Sequence, residues 1–430
     1  MGQGQSSVER SFAKYIEGLA SVIGHADRVG PLRDYCVGLM MPGQRKSVEP
    51  MAAITAPERV AAQHQSLLHF VGAGRWSDEK VLAKVREMVL PAIERHGAIN
   101  AWIIDDTGFP KQGKHSVGVA RQYCGQLGKQ DNCQAAVSLS IANHHASLPV
   151  AYRLYLPKDW AADDVRRRKA GVPETITFKT KPKIALDQLK WAVEADLPRG
   201  VVLMDAGYGS DTELREAITA LDLQYVAGIQ GQAKVWTRNR MPPPLKAGAR
   251  KPKLMQHDAE HQPIAVDALA LGLNKSAWRT NAWRQGTNET LSSRFARVRV
   301  RIAQGDRRRA ELRPEEWLLV EWPEGEEKPT KYWFSTMPEE ITLERLVDTT
   351  KLRWRIERDY LELKQEVGLG HYEGRGWLGF HHHATLCIAA YGFLISQREA
   401  FFPSGTAAGF FGAQSAVSQS YRPRGAAAQA

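Results

Sequence analysis

The spacing of apolar residues changes near residue 97, and this change constrains the fold more than any other feature. Through residues 7–96 apolar residues recur at helical spacing, as in Phe12, Tyr15 and Leu19. From Ala98 onward they come in short runs separated by turns rich in glycine and lysine, which is typical of strands. The sequence therefore predicts a helical N-terminal region followed by a sheet.

The order of the later runs indicates how that sheet is built. The first four are interpreted as consecutive, largely antiparallel strands: Ala98–Ile104, Ser116–Gln122, Cys133–Ala142 and Pro149–Leu156. A helix, strand, helix and strand are expected next, near Pro182–Ala195, Val201–Met204, Thr212–Leu221 and Tyr225–Ile229. This order predicts an α/β fold with a mixed sheet and flanking helices.

The remaining part of the chain, from residue 230 onward, is less regular. Residues 230–335 pass through a proline- and cation-rich stretch into strand-like runs, which predicts an inserted β-rich domain. Helical spacing resumes over Leu343–Val367, and an apolar helix is expected around Ala384–Ile395. Three histidines, His381–His383, are expected to cap that helix or lie on its polar face, since consecutive helical residues point in different directions. The tail after Phe402 has the composition of a disordered segment.

Charge and composition limit the class of partner. The formal net charge is +11 and the pI is about 9.4, as expected for a protein that binds a polyanion. Nucleic acid is the leading partner, and a merely basic protein is the alternative. The four cysteines form no zinc-binding spacing, and no signal peptide or run of eighteen apolar residues is present. We therefore expect a cytoplasmic protein.

Two aspartates directly follow apolar runs that we interpret as strands. Asp105 follows Ile103-Ile104, and Asp205 follows the run that ends at Met204. In open α/β sheets ligands collect outside the carboxyl ends of strands, so two such residues on neighbouring strands can share a metal ion. Oxygen ligands suit Mg²⁺ or Mn²⁺. For each aspartate alone, capping of the following turn is the alternative interpretation.

A third acidic candidate lies on the late helix. Arg353, Glu357 and Lys364 are four and seven residues apart, so on one continuous helix they share a face. Glu357 could then bind metal while the two cations hold phosphate oxygens. A solvated charged helix is the alternative interpretation.

The predicted insertion carries a second group of candidates. Between Arg294 and Ile302 apolar residues alternate with Arg297, Arg299 and Arg301, which predicts a strand with one cationic face that tracks phosphates. An exposed strand edge protected by charge is the alternative. Trp283 lies in a polar, turn-like setting and is a candidate for stacking on an extruded base, with core packing as the alternative.

Taken together, these motifs resemble those of DDE transposases of bacterial insertion sequences, specifically the insertion sequence 701 group. The resemblance spans roughly residues 10–400. It is carried by Ile104–Val119, Arg121-Gln122-Tyr123, Asn132-Cys133-Gln134, Leu154–Trp160, Asp205–Gly209 and the late helix.

The resemblance implies a ribonuclease-H-like catalytic domain, interrupted by a β-rich insertion and preceded by a helical DNA-binding domain. It places the two catalytic aspartates of the family on Asp105 and Asp205 and the catalytic glutamate on Glu357. Asp106 is the weaker choice for the first position, because Asp105 is nearer the strand. The family signature around the glutamate matches at Arg353 and Lys364, whereas its tyrosine is replaced by Thr350.

We combine these interpretations into one set of predictions. The domains are 1–97 (helical, DNA-binding), 98–229 and 336–402 (catalytic), 230–335 (insertion) and 403–430 (disordered tail). Asp105, Asp205 and Glu357 hold two Mg²⁺ or Mn²⁺ ions, with which a homodimer cuts and joins double-stranded DNA at transposon ends in a bacterial cytoplasm, associated with the nucleoid. The alternatives are a catalytically silent DNA-binding descendant of a transposase and a nuclease of the same fold that joins nothing.

Overall fold

The computed structural model describes residues 7–237, 262–285, 290–304 and 312–401. The chain forms two compact units. Unit 1 comprises Met1–Ile99, Asp106–Gln188 and Arg355–Ala430, and unit 2 comprises Asn100–Asp105 and Leu189–Trp354. Three features of the sequence lie outside the described residues, namely Met241–Pro244, Arg307–Arg309 and the tail 403–430.

The N-terminal part of unit 1 is helical, as the apolar spacing predicts. Its helices are α1 (Ser7–Ala20), α2 (Val29–Met40), α3 (Val48–Thr55), α4 (Val60–Gly72) and α5 (Asp78–Glu94). The start of α5 is fixed by its sequence, because the side chain of Ser77 accepts a hydrogen bond from the amide of Lys80. Asp78 and Glu79 in the first turn add a favourable interaction with the helix dipole.

The last described helix, α14 (Trp377–Phe401), forms the centre of unit 1. It packs against α2, α4 and α5, and its middle is buried almost throughout. The hydroxyl of Tyr15 on α1 donates to the carbonyl of Ala389 at 2.8 Å, and the rings of Phe12 and Phe393 meet edge to face at 5.1 Å. Although α14 is apolar, no helix in the described ranges is long and apolar enough to cross a membrane.

The prediction that His381–His383 cap a helix or lie on its polar face was wrong. All three side chains are buried in α14, and each is satisfied by a backbone group of another segment or of its own helix. His382 contacts the carbonyls of Val71 and Trp76 at 3.1 and 3.0 Å, and His383 contacts the carbonyl of Gly368 at 3.1 Å. The histidines therefore tie loops of unit 1 to its central helix.

The strands of unit 1 are the second half of β1 (Ala101–Pro110), β2 (Ala120–Cys124), β3 (Lys129–Ala142) and β4 (Ser147–Leu154). β3 pairs antiparallel with β2 and with β4. The strand expected at Ser116–Gln122 begins four residues later, because Gly118 adopts a left-handed conformation with φ of 72°. A side chain at this position would also crowd the carbonyl of Tyr155, so the turn requires glycine.

The sheet of unit 2 is mixed. It contains the first half of β1, β5 (Val201–Met204), β6 (Tyr225–Ile229), β7 (Lys234–Trp236), β8 (Ile264–Ala265), β9 (Arg279–Gln285), β10 (Thr290–Ile302), β11 (Glu316–Trp322) and β12 (Lys331–Ser335). β1, β5 and β6 are parallel, whereas β6, β12, β11 and β10 follow one another antiparallel. The β-rich segment thus continues the sheet of β6 through β12.

The remaining helices flank these strands. They are α6 (Lys158–Ala161), α7 (Asp164–Lys169), α8 (Lys181–Glu194), α9 (Ala206–Gly209), α10 (Thr212–Ala220), α11 (Val266–Leu271), α12 (Leu343–Lys351) and α13 (Trp354–Gln365). The expected mixed α/β fold with flanking helices is confirmed. The domain boundaries given by the sequence stay predictions.

Candidate active site

Asp105 and Asp205 lie at the same level of two parallel strands. β1 pairs with β5 in a register in which Ile103 is opposite Leu203. Continuing this register by two residues brings Asp105 opposite Asp205, which directly follows the end of β5. The prediction that Asp105 also follows the end of its strand was wrong, because β1 continues to Pro110. Both aspartates belong to unit 2, so this arrangement lies within one compact unit.

Asp205, a candidate site residue, serves as a helix cap. Its Oδ1 atom accepts hydrogen bonds from the amides of Gly207 and Tyr208 at 2.9 and 3.2 Å, which closes the first turn of α9. Its Oδ2 atom lies 3.9 Å from Nη2 of Arg353. The capping alternative is therefore correct for one oxygen, and the cap fixes the direction of the other.

Arg353 connects the two aspartates. Its Nη2 atom donates to Oδ2 of Asp105 at 2.8 Å and lies 3.9 Å from Oδ2 of Asp205. One positive charge is thus placed between two carboxylates of unit 2. This contact explains why the carboxylates can lie close together without a large electrostatic penalty.

The prediction that Arg353 shares a helical face with Glu357 and Lys364 was wrong. The late helix is broken, because α12 ends at Lys351 and α13 begins at Trp354, so Arg353 lies in the turn between them. The apolar spacing continues across the break because Leu352 is buried, which hides the turn from a periodicity argument. Thr350, at the family's tyrosine position, is buried in α12 and donates to the carbonyl of Leu346 at 2.7 Å.

Asp106 has a different environment from Asp105. Successive residues of a strand point to opposite faces, and Oδ2 of Asp106 pairs with Nζ of Lys181 at 2.6 Å within unit 1. Lys181 lies in the first turn of α8, and no motif of the sequence marks it, since 75 positions separate it from Asp106. This pairing supports the preference for Asp105 as the site residue.

The loop after Asp205 is held by close backbone packing. A Cβ atom at Gly209 would overlap the carbonyl oxygen of Gly228 on β6, and one at Gly228 would lie 2.9 Å from the amide of Ala206. The guanidinium of Arg215, buried in α10, donates to the carbonyl of Gly209 and to Oγ1 of Thr212. The glycines in Asp205–Gly209 therefore let α9 approach β6.

We expect Gly209→Ala to lower the free energy of unfolding by about 1–3 kcal/mol, because backbone atoms must shift to admit the methyl group. Chemical denaturation of the full chain measures this difference. Gly272→Ala in the same unit is the matched control, since its Cβ would meet no atom closer than 3.5 Å. Equal stability of the two variants would contradict the packing argument.

Glu357 is exposed in the first turn of α13, in unit 1. The opposite face of α13 is anchored in that unit. Asp359 accepts hydrogen bonds from the hydroxyls of Ser147 at 2.6 Å and Tyr391 at 2.8 Å, and burial raises the pKa of Asp359 to about 6. The hydroxyls of Tyr360 and Ser138 lie 2.8 Å apart. That Glu357 joins the two aspartates stays a prediction.

Lys364, at the other end of α13, contacts the end of β1. Its Nζ atom donates to the carbonyl of Gly108 at 2.8 Å and to Oε1 of Gln126 at 3.2 Å. Burial lowers the pKa of Lys364 to about 8. A lysine with this pKa changes its charge near physiological pH.

The three arginines of β10 have intramolecular partners. Arg297 donates to the carbonyl of Ile341 and lies over the ring of Trp317, with 4.3 Å to its centre. Arg299 and Arg301 donate to the carbonyls of Glu315 and Arg313, both at 2.7 Å. All three side chains are half-buried. The predicted strand is present, but the alternation of burial is incomplete because Val298 is half-buried like the arginines. The phosphate-tracking role of these arginines stays a prediction.

Trp283 packs against neighbours of unit 2. Its ring meets Phe295 edge to face at 5.7 Å, and Nζ of Lys351 lies 4.2 Å from the ring centre. Lys351 also donates to both carboxylate oxygens of Glu321 at 2.7 Å. These contacts attach the end of α12, two residues before Arg353, to the β-rich segment. Base stacking by Trp283 stays a prediction.

The chemistry of Asp105 and Asp205 fits a divalent cation. Their carboxylates already share one cationic group, the guanidinium of Arg353, and carboxylate oxygens are the ligands that Mg²⁺ and Mn²⁺ prefer. Among the residues that the structure describes, no group of three or more His, Cys, Asp or Glu side chains is arranged to hold a metal ion. The two aspartates are therefore the part of the candidate ligand set that one unit provides.

Comparison with known families identifies the family of the chain. The model described as DDE superfamily endonuclease matches residues 18–290, which is more than half of the chain and includes Asp105 and Asp205. The chain belongs to the DDE superfamily endonucleases. Glu357 lies beyond the matched residues.

Among curated proteins, the chain is similar to the probable transposase for insertion sequence element IS701 of Microchaete diplosiphon. The two are 29% identical over 195 residues, which is 45% of this chain and 47% of the relative. The match thus spans about half the length of the curated relative. It supports the resemblance described from the motifs.

Proposed function

We propose that this chain is a DNA transposase that cleaves and joins phosphodiester bonds at the ends of an insertion sequence. The observation that carries the proposal is the pairing of Asp105 and Asp205 at one level of two parallel strands, with a single cation between them. The family membership and the name of the relative support the same function.

Asp105, Asp205 and Glu357 would hold two Mg²⁺ or Mn²⁺ ions. When bound, such ions make a nucleophile from water or a DNA 3′-hydroxyl and stabilise the leaving oxygen. The chain's part is to orient the ligands: the α9 cap fixes the carboxylate of Asp205, and the buried face of α13 fixes the helix that carries Glu357. Arg353 and Lys364 would orient the scissile or flanking phosphate by charge-assisted hydrogen bonds.

The finer parts of the proposal follow the family. The catalytic part would have a ribonuclease-H-like fold, the helical region 1–97 would bind DNA, and a homodimer would act on paired ends of double-stranded DNA. We place the protein in the bacterial cytoplasm, near the nucleoid. The net charge of +11 supports a polyanionic partner.

One experiment separates transposition from the two alternatives. Duplexes that carry the element's ends, either intact or already cleaved, are incubated with the full chain and Mn²⁺, and cut and joined products are resolved on gels. A transposase cuts the intact ends and joins the cleaved ends to a target. Cutting without joining would identify a nuclease, and binding without either reaction would identify a silent DNA-binding protein; both results would overturn the proposal.

The low pKa of Lys364 predicts a pH dependence. The lysine is charged below about pH 8 and neutral above it, so cleavage should decline as the pH rises through that value. Loss of a hydrogen bond between charged groups is worth about 1.5–3 kcal/mol, or roughly a tenfold to hundredfold decrease in rate. Lys364→Arg keeps the charge and should abolish the decline. A variant with the same decline as the wild type would contradict the role of Lys364.

A further inference from the structure

A patch of unit 1 outside the candidate active site carries cations that the fold leaves exposed. The patch consists of Lys114, Arg168, Lys169 and Arg375, and we call it the triangle surface. All four side chains are exposed, and within the described parts of the chain none of them has an ion-pair partner. The arginines of β10 differ, since they contact carbonyls, Glu315 and Trp317.

Three backbone segments that lie far apart in the sequence form the triangle surface. Arg166 of α7 donates to the carbonyl of Lys114 at 3.2 Å. The amide of Val117 donates to the carbonyl of Arg375 at 3.0 Å, and the amide of Trp377 donates to the carbonyl of Ala170 at 2.8 Å. Each segment is thus hydrogen-bonded to the other two, so the backbones that carry the four cations lie close together.

The motif Leu154–Trp160 explains how this patch is supported. Trp160 of α6 is buried and donates through Nε1 to the carbonyl of Val119 at 2.8 Å. The guanidinium of Arg166 lies over its ring, 3.8 Å from the centre. Arg167 donates to the carbonyls of Ala161, Pro173 and Ile176, so it supports the loop and is not an available cation. The motif therefore builds a platform from which Arg168 and Lys169 project.

The charge arrangement favours a polyanion as the partner. Arg168 and Lys169 end α7, where the helix dipole stabilises positive charge, while Asp163 and Asp164 occupy the opposite end. The acidic neighbour Glu373 is paired with Arg45. Four exposed, unneutralised cations on a fixed backbone match the phosphates of a DNA duplex, whose charges repeat along both strands.

We propose that the triangle surface binds backbone phosphates of double-stranded DNA, as a second contact area besides the candidate active site. This inference rests on the proposed function for the identity of the polymer. Because phosphate contacts carry no sequence information, the surface would hold DNA of any sequence.

The test is the salt dependence of duplex binding by the full chain, measured without divalent ions. Each lost phosphate contact should reduce the slope of log affinity against log salt by about 0.9. The quadruple alanine variant of the triangle surface should therefore bind more weakly at low salt, with a slope smaller by roughly 3–4. The double variant Arg168→Lys with Arg375→Lys retains the charge and should retain the slope.

The matched control removes the same charge from unit 2. Lys190, Lys234, Lys275 and Lys328 are exposed, and their replacement by alanine should leave the slope near that of the wild type. Equal slopes for the two quadruple variants would overturn the proposal, whether or not those slopes differ from that of the wild type. The proposal would also be overturned if the quadruple variant of the triangle surface bound duplex DNA normally but bound single-stranded RNA or anionic vesicles less well. The surface would then belong to that other ligand.

Failure of this inference is distinguishable from failure of the proposed function. Cleavage is measured separately at low salt with Mn²⁺ and saturating protein, where binding no longer limits the rate. Normal binding with no cleavage by the wild type would reject the transposase but not the surface. Normal cleavage with an unaltered slope for the triangle variant would reject the surface alone.

Discussion

Asp205→Asn is expected to abolish DNA cleavage and joining while leaving the fold intact. The asparagine side-chain oxygen can still accept hydrogen bonds from the amides of Gly207 and Tyr208, so the α9 cap survives. The negative charge that would bind a divalent ion is lost. Charge stabilisation by such an ion is worth several kcal/mol, so both rates should fall by about a thousandfold or more. Single-turnover cleavage of a labelled end measures the effect.

Asp211→Asn is the matched control for this prediction. Asp211 caps α10 in the same way, accepting a hydrogen bond from the amide of Leu214 at 2.9 Å, and it lies close to Asp205 in the sequence. We expect this variant to cut and join DNA at nearly the wild-type rate. If both variants were equally active, or equally inactive, Asp205 would have no special role beyond capping.

Arg215→Met is expected to cause the largest loss of stability, about 3–5 kcal/mol. Arg215 is 2% exposed and supports the carbonyl of Gly209. Its charge also lies near Glu316, whose carboxylate accepts a hydrogen bond from the hydroxyl of Tyr225 at 2.6 Å. Removing Arg215 leaves this buried carboxylate with less compensation. Urea denaturation of the full chain measures the change in the free energy of unfolding.

The loss should depend on pH in a defined direction. Burial raises the pKa of Glu316, while Tyr225 and the cations Arg215, Arg313 and Arg299 oppose that shift. Without Arg215 the pKa of the folded state rises further, so Glu316 binds a proton more readily in the folded chain. The difference in the free energy of unfolding between Arg215→Met and the wild type should therefore be smallest at low pH. It should grow as the pH rises through the pKa of Glu316 in the folded chain.

Two controls make the stability prediction specific. Arg199→Met removes an exposed arginine of the same unit, paired with Asp222 at 3.6 Å, and should change stability by less than about 1 kcal/mol. Glu316→Gln introduced together with Arg215→Met should recover part of the loss. A stability of Arg215→Met within about 1 kcal/mol of the wild type would show that the buried charge is compensated in another way.

Local sequence was sufficient to locate the strands that carry the two aspartates, because each contains an apolar run that needs burial on both faces. The end of β5 before Asp205 was predicted correctly, whereas the end expected before Asp105 was not, since β1 continues to Pro110. The strands β5 and β6 begin at the expected residues for the same reason. The helix α10 also begins at the expected residue, directly after its cap Asp211. The register that aligns Asp105 with Asp205 could not be predicted, because it depends on pairing between segments far apart in the sequence.

Interactions between distant residues account for the predictions that were wrong. Arg353, in the turn between α12 and α13, pairs with Asp105, 248 positions away, and the helical spacing of the flanking residues conceals the turn. The histidines of α14 are polar and were therefore expected at a cap or on a polar face. They are buried instead, because their ring nitrogens contact carbonyls that include those of loops elsewhere in unit 1. The later start of β2 follows the turn at Gly118, which has a left-handed conformation and lies close to the carbonyl of Tyr155, 37 positions away.

The most direct test of the proposed site is a count of bound Mn²⁺ ions by electron paramagnetic resonance, on the full chain with a duplex of its element's end. We predict two ions for the wild type and the loss of at least one in Asp105→Asn, Asp205→Asn and Glu357→Gln. Glu357→Gln is the decisive variant, since Glu357 belongs to unit 1 and the aspartates to unit 2. Two ions bound by Glu357→Gln with wild-type affinity would contradict the assignment.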